Sequence, residues 1–220
     1  HIDYFLTVGN ANEAFYLSYA VKDHQLIRMH FPVDIKAYES AWGRKEELRN
    51  SIHERYNIPA NSYVACVVGK LVSWKNQDHI IDAMMQLEKK GKKMYLFMIG
   101  SGEMQEQWQQ KINQLKESKV FFTGFVNIED LPAYYAASTV YIHPASVEPH
   151  SIAVSEAIYM GCPIIMSDRC GSYGKDDDVQ VNKNGIVYPF GDINQLSGAI
   201  EKTMDDKIRM NEWSQFSHHI

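Results

Sequence analysis

The stretch that decides the fold is VYIHPASVEPHSIAVSEAIYMGCPIIMS, residues 140–167. An apolar run of strand length, VYIHPA, passes through a short polar segment into SIAVSEAIYMG, which is apolar on nearly every face. Gly161 and Pro163 then break the pattern before a second apolar run, PIIMS. Two strand-length runs joined through a helix are a βαβ unit, and such a unit joins parallel strands.

The same alternation extends outward in both directions. Upstream, YVACVVG, MYLFMIG and KVFFTG read as strands. They are separated by NQDHIIDAMMQLEKKG (Ile80, Met84 and Leu87 at helical spacing, Gly91 at the C-cap), by EMQEQWQQKINQLKES, and by the short IEDLPAYYAAS. Downstream, GIVYPF reads as a sixth strand, and DINQLSGAIEKTMDD as a helix with Asp192 at its N-cap. The strands are continuously apolar, so helices are expected on both faces of a parallel sheet. The final WSQFSHHI has no clear cap and reads as a truncated end.

Residues 1–60 differ in character. DYFLTVG, NANEAFYLSYAV and LIRMHFPVD read as strand, helix and strand, ending at a proline turn. ESAWGRKEELRNSIHERYNIP reads as one amphipathic helix carrying Leu48, Ile52 and Tyr56, closed by Pro59. The expected division is therefore 1–60, a remnant of another domain plus a linker helix, and 61–220, a ligand-binding α/β domain. The chain opens without methionine, which reads as a piece of a longer protein.

A formal net charge of −5 argues against a dedicated nucleic-acid binder, so an anionic ligand must be met by a local cluster of donors. Cys66, Cys162 and Cys170 have no framework spacing and read as reduced thiols of a cytoplasmic protein. No apolar run reaches the roughly 18 residues of a membrane span.

Ligands of open α/β sheets bind beyond the carboxyl ends of the strands. In the loop after the first strand of 61–220, Lys70 and Lys75 are two cations, and after the second, Gly100-Ser101-Gly102 allows a close backbone approach. The glycine loop lacks both the third glycine of a dinucleotide fingerprint and the lysine and hydroxyl of a P-loop. Two cations beside amide clusters suit a diphosphate.

After the fourth strand, Glu148 and Glu156 bracket an apolar helical segment, about 12 Å apart along its axis. Paired carboxylates of glycoside hydrolysis sit roughly 5 to 9.5 Å apart. The wider spacing fits two ends of an extended ligand, one carboxylate on a sugar and the other on a ribose diol, with phosphates between. A structural Glu156 paired with a lysine or arginine is the competing reading.

Five segments, VVGKLVSWKN, MIGSGEM, VFFTGFVNIEDLPAYYAAS, YIHPASVEPHSIAVSEAIYMGCPII and NKNGIVYPFGD, together resemble the donor-binding half of the retaining GT-B glycosyltransferases of the family 4 type. The most specific element is a glutamate, seven residues, and a second glutamate, followed by Ala and then Gly-x-Pro. The resemblance implies a Rossmann-like C-terminal half of a GT-B fold and a nucleotide-sugar donor (UDP-, GDP- or ADP-linked), with no metal and no other cofactor. Lys75 and Lys70, the latter where the family usually has arginine, would neutralise the diphosphate, and Glu148 would hold sugar hydroxyls. Gly100 and Gly102 would allow close approach, Phe125 and Val126 would meet the base, His150, Ser151 and Ile152 would present amides to phosphates, and Glu156 would grip the ribose. The catalytic set implied is Lys75, Lys70 and Glu148.

His150-Ser151 departs from the family's Phe-Gly, and CGSYGKDDDVQ lacks its usual Pro-Glu step. The implied enzyme transfers a sugar to a polysaccharide, glycan or lipid-linked acceptor held by a missing N-terminal domain, so this piece alone is expected to be inactive or weakly active. It is expected in the cytoplasm, with peripheral contact at the inner face of the cell membrane left open for the full-length enzyme. A nucleotide-sugar epimerase and a degenerate scaffold domain are the competing functions.

Overall fold

The computed structural model describes residues 2–29 and 33–219. The six apolar runs after residue 60 become β3 (Val64–Val68), β4 (Tyr95–Ile99), β5 (Lys119–Gly124), β6 (Val140–His143), β7 (Ile164–Ser167) and β8 (Gly185–Tyr188). All pair in parallel in one sheet of order β5-β4-β3-β6-β7-β8. The connecting helices are α4 (Asp78–Lys89), α5 (Gln105–Ile112), α6 (Leu131–Ala137), α7 (Ile152–Tyr159), α8 (Ile193–Asp205) and α9 (Lys207–His219).

Continuous apolar strands still sort their side chains with period two. Cys66, Phe97 and Tyr141 face one core with Tyr135, Val154 and Ala157. Ala65, Val67, Leu96, Met98 and Ile142 face the other, with Ile80, Met84, Leu87, Trp108, Leu196 and Ile200. Both faces are thus covered by helices, as the run composition requires. Asp192 caps α8 as expected, its side chain accepting from the Gln195 amide.

Two expectations are corrected in detail. The single helix of 39–59 is two, α2 (Ile35–Trp42) and α3 (Lys45–Arg55), parted at Gly43-Arg44. Gly43 caps α2, and the two helices bury different residues, Tyr38 and Ala41 on one, Ile52 and His53 on the other. The segment 103–118 is helical only over α5. The Glu88 carboxylate accepts from the amides of Lys116, Glu117 and Ser118 and draws them out of helical register before β5. The terminal WSQFSHHI lies within α9 through His219, where Trp213 is buried.

The opening segment forms its own two-stranded parallel sheet, β1 (Phe5–Thr7) and β2 (Leu26–Arg28), joined through α1 (Asn10–Ser18). The expected proline turn at Pro32 lies outside the described residues. Among the described residues no helix is long and apolar enough to cross a membrane. All three cysteines are buried free thiols.

Candidate functional site

Counted from β3, the strand order is 3-2-1-4-5-6, so the direction of winding reverses between β3 and β6. At such a reversal the two outgoing loops part and leave a crevice beyond the strand ends. Residues 69–77 leave β3 there and residues 144–151 leave β6. The loops are tied together: the amide and the hydroxyl of Ser146 donate to the Trp74 carbonyl at 2.9 and 3.0 Å.

Lys75 ends a single 3-10 turn, Ser73–Lys75, followed by Asn76 in the left-handed region (φ 50°). Its ammonium donates to Glu148 Oε2, pairing residues 73 positions apart. His143 Nε2 stands 3.5 Å from the same oxygen. Burial would push the Glu148 carboxyl up, but His143 and Lys75 outweigh it and hold the group below the ordinary carboxylate value. Burial holds the His143 imidazole below its ordinary value, opposed by Glu148.

The backbone of Glu148 is fixed as firmly as its side chain. Its amide donates to Arg169 O at 3.2 Å and its carbonyl accepts from Gly171 at 2.8 Å. Gly171 is needed for this approach, since a Cβ there would lie 2.2 Å from the Pro149 carbonyl oxygen.

The N-terminus of α7 faces the same loops. Ser151 occupies the N-cap position without a side-chain cap, and its amide donates to Ser172 Oγ at 3.0 Å. The Ser151 amide, expected to face phosphate, thus has a protein acceptor in this structure. The amides of Ile152 and Ala153 have no acceptor among the described residues. The His150 ring is turned to Asp178, with Nε2 3.4 Å from Oδ2, and Ser155 donates to that oxygen at 2.6 Å.

Glu156 lies one turn deeper and is 6% exposed. Its partner is neither lysine nor arginine: Tyr135 donates a hydrogen bond to Oε2 at 2.9 Å. Burial raises the Glu156 carboxyl, while Tyr135 and Tyr38 oppose the rise.

The glycine loop packs against the loop that leaves β3. Leu71 N–H donates to Ser101 O at 3.0 Å and Met104 N–H to Leu71 O at 3.0 Å. A Cβ at Gly100 would lie 2.1 Å from Gly69 O, and one at Gly102 2.2 Å from Leu71 O. Steric demand of backbone on backbone therefore suffices to require both glycines. Lys70 is exposed and has no ion-pair partner among the described residues, its carbonyl accepting from Gln77 Nε2 at 3.0 Å. Beyond β5, Phe125 is 78% exposed and Val126 packs partly into the core.

The structure thus brings Lys75, Glu148, Ser151 and Ile152 to one crevice and sets Glu156 in the core behind it. Sequence reasoning passed over His143, Tyr141, Ser172 and Asp178. His143 has a signal, a histidine at the end of an apolar strand just before Pro144; Ser172 and Asp178 have none, because their loop meets α7 only in three dimensions.

The loop that carries Asp178 is also anchored to the opening segment. Asp177 accepts from the Asn10 amide at 3.0 and 3.1 Å and from Arg28 at 3.0 Å, and Arg28 forks onto Glu13 at 2.8 and 2.6 Å.

A parallel sheet of this order with its crevice between β3 and β6 is the architecture of GT-B glycosyltransferases. The Anabaena protein HepE, solved in complex with UDP, superposes with TM-score 0.78 at 19% identity over 99% of this chain and 58% of its own. WaaG, a glycosyltransferase involved in lipopolysaccharide biosynthesis, superposes with TM-score 0.76 at 19% identity over 97% of this chain and 57% of its own. The chain belongs to the glycosyl transferases group 1 family, whose model matches residues 49–219. An uncharacterised glycosyltransferase of Methanocaldococcus jannaschii is 28% identical over 207 residues, 93% of this chain and 50% of that protein. A GDP-mannose-dependent α-(1-6)-phosphatidylinositol monomannoside mannosyltransferase of Mycobacterium tuberculosis is 27% identical over 169 residues, 73% of this chain and 43% of that protein. The chain spans half or less of the length of these relatives.

Proposed function

We propose that the chain is the nucleotide-diphosphate-sugar binding domain of a retaining, family 4 type glycosyltransferase whose acceptor is a glycan, polysaccharide or lipid-linked sugar. The observation that carries this reading is the Lys75–Glu148 pair at the winding reversal, beside the α7 amides of Ile152 and Ala153. A cation, a carboxylate and amides on one crevice complement the three parts of a sugar diphosphate. The ammonium and amides take phosphate oxygens, and the carboxylate accepts from sugar hydroxyls.

Lys75, with Lys70 on the same loop, stabilises the charge that develops on the departing diphosphate. This is preorganised electrostatic catalysis and requires no metal. Glu156 is assigned to the ribose, with Phe125, Val126 and the Gly100-Gly102 edge toward the base. The base stays unassigned, since one neighbour was solved with UDP and one relative is named for GDP-mannose. Full transfer requires the acceptor domain, so this chain by itself binds donor but transfers little. A cytoplasmic site with peripheral membrane contact fits lipid-linked acceptors.

Calorimetry with UDP, GDP and ADP tests the reading. Binding of one of them, weakened in Lys75→Ala, is the expected result. No binding of any at millimolar concentration overturns it and favours a scaffold role.

A further inference from the structure

His143 ends β6, is 2% exposed, and presents both ring nitrogens to polar partners. Nδ1 lies 3.3 Å from the Tyr141 hydroxyl oxygen and Nε2 3.5 Å from Glu148 Oε2. The Tyr141 hydroxyl also lies 3.4 Å from the Val68 carbonyl oxygen. The proton count selects one tautomer. A carboxylate only accepts, so Nε2 must carry the proton facing Glu148. In the neutral ring Nδ1 is then an acceptor, and the one Tyr141 hydroxyl proton is shared between it and the Val68 carbonyl.

Glu148 Oε2 thus has one donor in place, Lys75, while His143 Nε2 stands off at 3.5 Å without a hydrogen bond, against the usual 2.7–3.2 Å of an N–H···O bond. On the reading proposed above, phosphate oxygens compete with Glu148 for the Lys75 ammonium. A carboxylate that lost its lysine and had no second donor would be left half-buried and uncompensated. It would swing out or take up a proton, and either would end its hold on the sugar. The imidazole supplies the second donor without bringing a full charge, and the strand end and Tyr141 fix where it points.

We propose that His143 is a positioning residue: its Nε2–H takes over Glu148 Oε2 as Lys75 is drawn to the donor's phosphates, keeping the carboxylate aimed at the sugar. This rests on the donor-site assignment, and the experiment separates the two. In the full-length protein, transfer kinetics with UDP-, GDP- and ADP-glucose, and calorimetry with the free diphosphates, are compared for Lys75→Ala, His143→Leu, His143→Gln and Tyr141→Phe. His143→Leu is expected to lower kcat by about tenfold, the worth of one hydrogen bond to a charged group, with KM changed by less than about threefold. His143→Gln, whose amide can reach the Nε2 position, restores most of kcat. Tyr141→Phe falls between, because Nδ1 is then free to take the proton.

A kcat within about twofold of wild type in His143→Leu, or no rescue by a His143→Gln protein that melts normally, overturns the proposal. Should His143→Leu not fold, an unchanged kcat in Tyr141→Phe overturns it and a lowered one supports it. Loss of diphosphate binding in Lys75→Ala with wild-type behaviour of the His143 variants refutes the positioning role alone. Undiminished binding in Lys75→Ala refutes the donor-site assignment, and the positioning role with it.

Discussion

Lys75→Ala is the substitution on which the donor site stands or falls. In the structure the ammonium is already committed, pairing with Glu148 while its side chain is 22% exposed and that of Glu148 16%. Its contribution to donor binding is therefore the difference between a bond to phosphate and a bond to a carboxylate, not the full attraction of two isolated charges. A unit pair at 4 Å and an effective dielectric near 20 attracts by about 4 kcal/mol. Since the lysine exchanges one anion for another, a net of about 1.5–3 kcal/mol is expected, the range of one charge-assisted hydrogen bond. Calorimetry should show diphosphate affinity falling by about 10- to 150-fold. Transfer should fall further, by about 10²–10³ in kcat, because the leaving charge grows in the transition state.

Stability gives a second signature. The pair is partly exposed, so its loss costs at most about 1 kcal/mol. Because the Glu148 pKa is depressed in the folded protein, this contribution is present above the ordinary value of 4.5 and is lost as pH falls through the folded value. Wild type and variant should converge in denaturant melts below that pH. Diphosphate affinity unchanged within twofold, with the variant folded, would refute the reasoning.

Three further outcomes follow from other parts of the molecule. Glu156→Gln should melt higher than wild type at pH 7 while binding donor more weakly. Its raised carboxyl makes ionisation costly to the fold, so the gap should close below about pH 4.5; a lower melting temperature at pH 7 would contradict this. Gly102→Ala should destabilise by about 1–3 kcal/mol in denaturant titrations, since its Cβ would meet Leu71 O at 2.2 Å; a cost under about 0.5 kcal/mol would mean that the loops part freely. Arg28→Ala should cost about 1–3 kcal/mol, because it strands Asp177, whose side chain is 3% exposed, whereas Asp177→Asn keeps the acceptor for the Asn10 amide and should cost less; the reverse order in chemical denaturation would overturn the assignment.

Much of this protein was legible before any coordinates. Apolar runs set by strand length, helical spacing at Ile80, Met84 and Leu87, and the cap at Asp192 determined the element order and the parallel sheet, because these signals act between residues close along the chain. The two glutamates stood out because they bracket an apolar segment, and Lys75 because it is a cation in a loop beyond a strand end. The partners themselves were not legible. That β6 comes to pair with β3, on the side away from β4, is decided by how helices cover both faces of the sheet. That choice alone carries Lys75 across 73 residues to Glu148.

Packing also chose tyrosine for Glu156, and gave Gly100 and Gly102 a steric reason where the pattern had suggested a ligand. It broke the linker at Gly43, where one apolar stripe had to serve two differently buried helices. His143 shows the division most plainly. One-dimensional pattern marks it as a polar residue in a strand, and only the convergence of Tyr141, Glu148 and Lys75 around its ring gives each nitrogen a task.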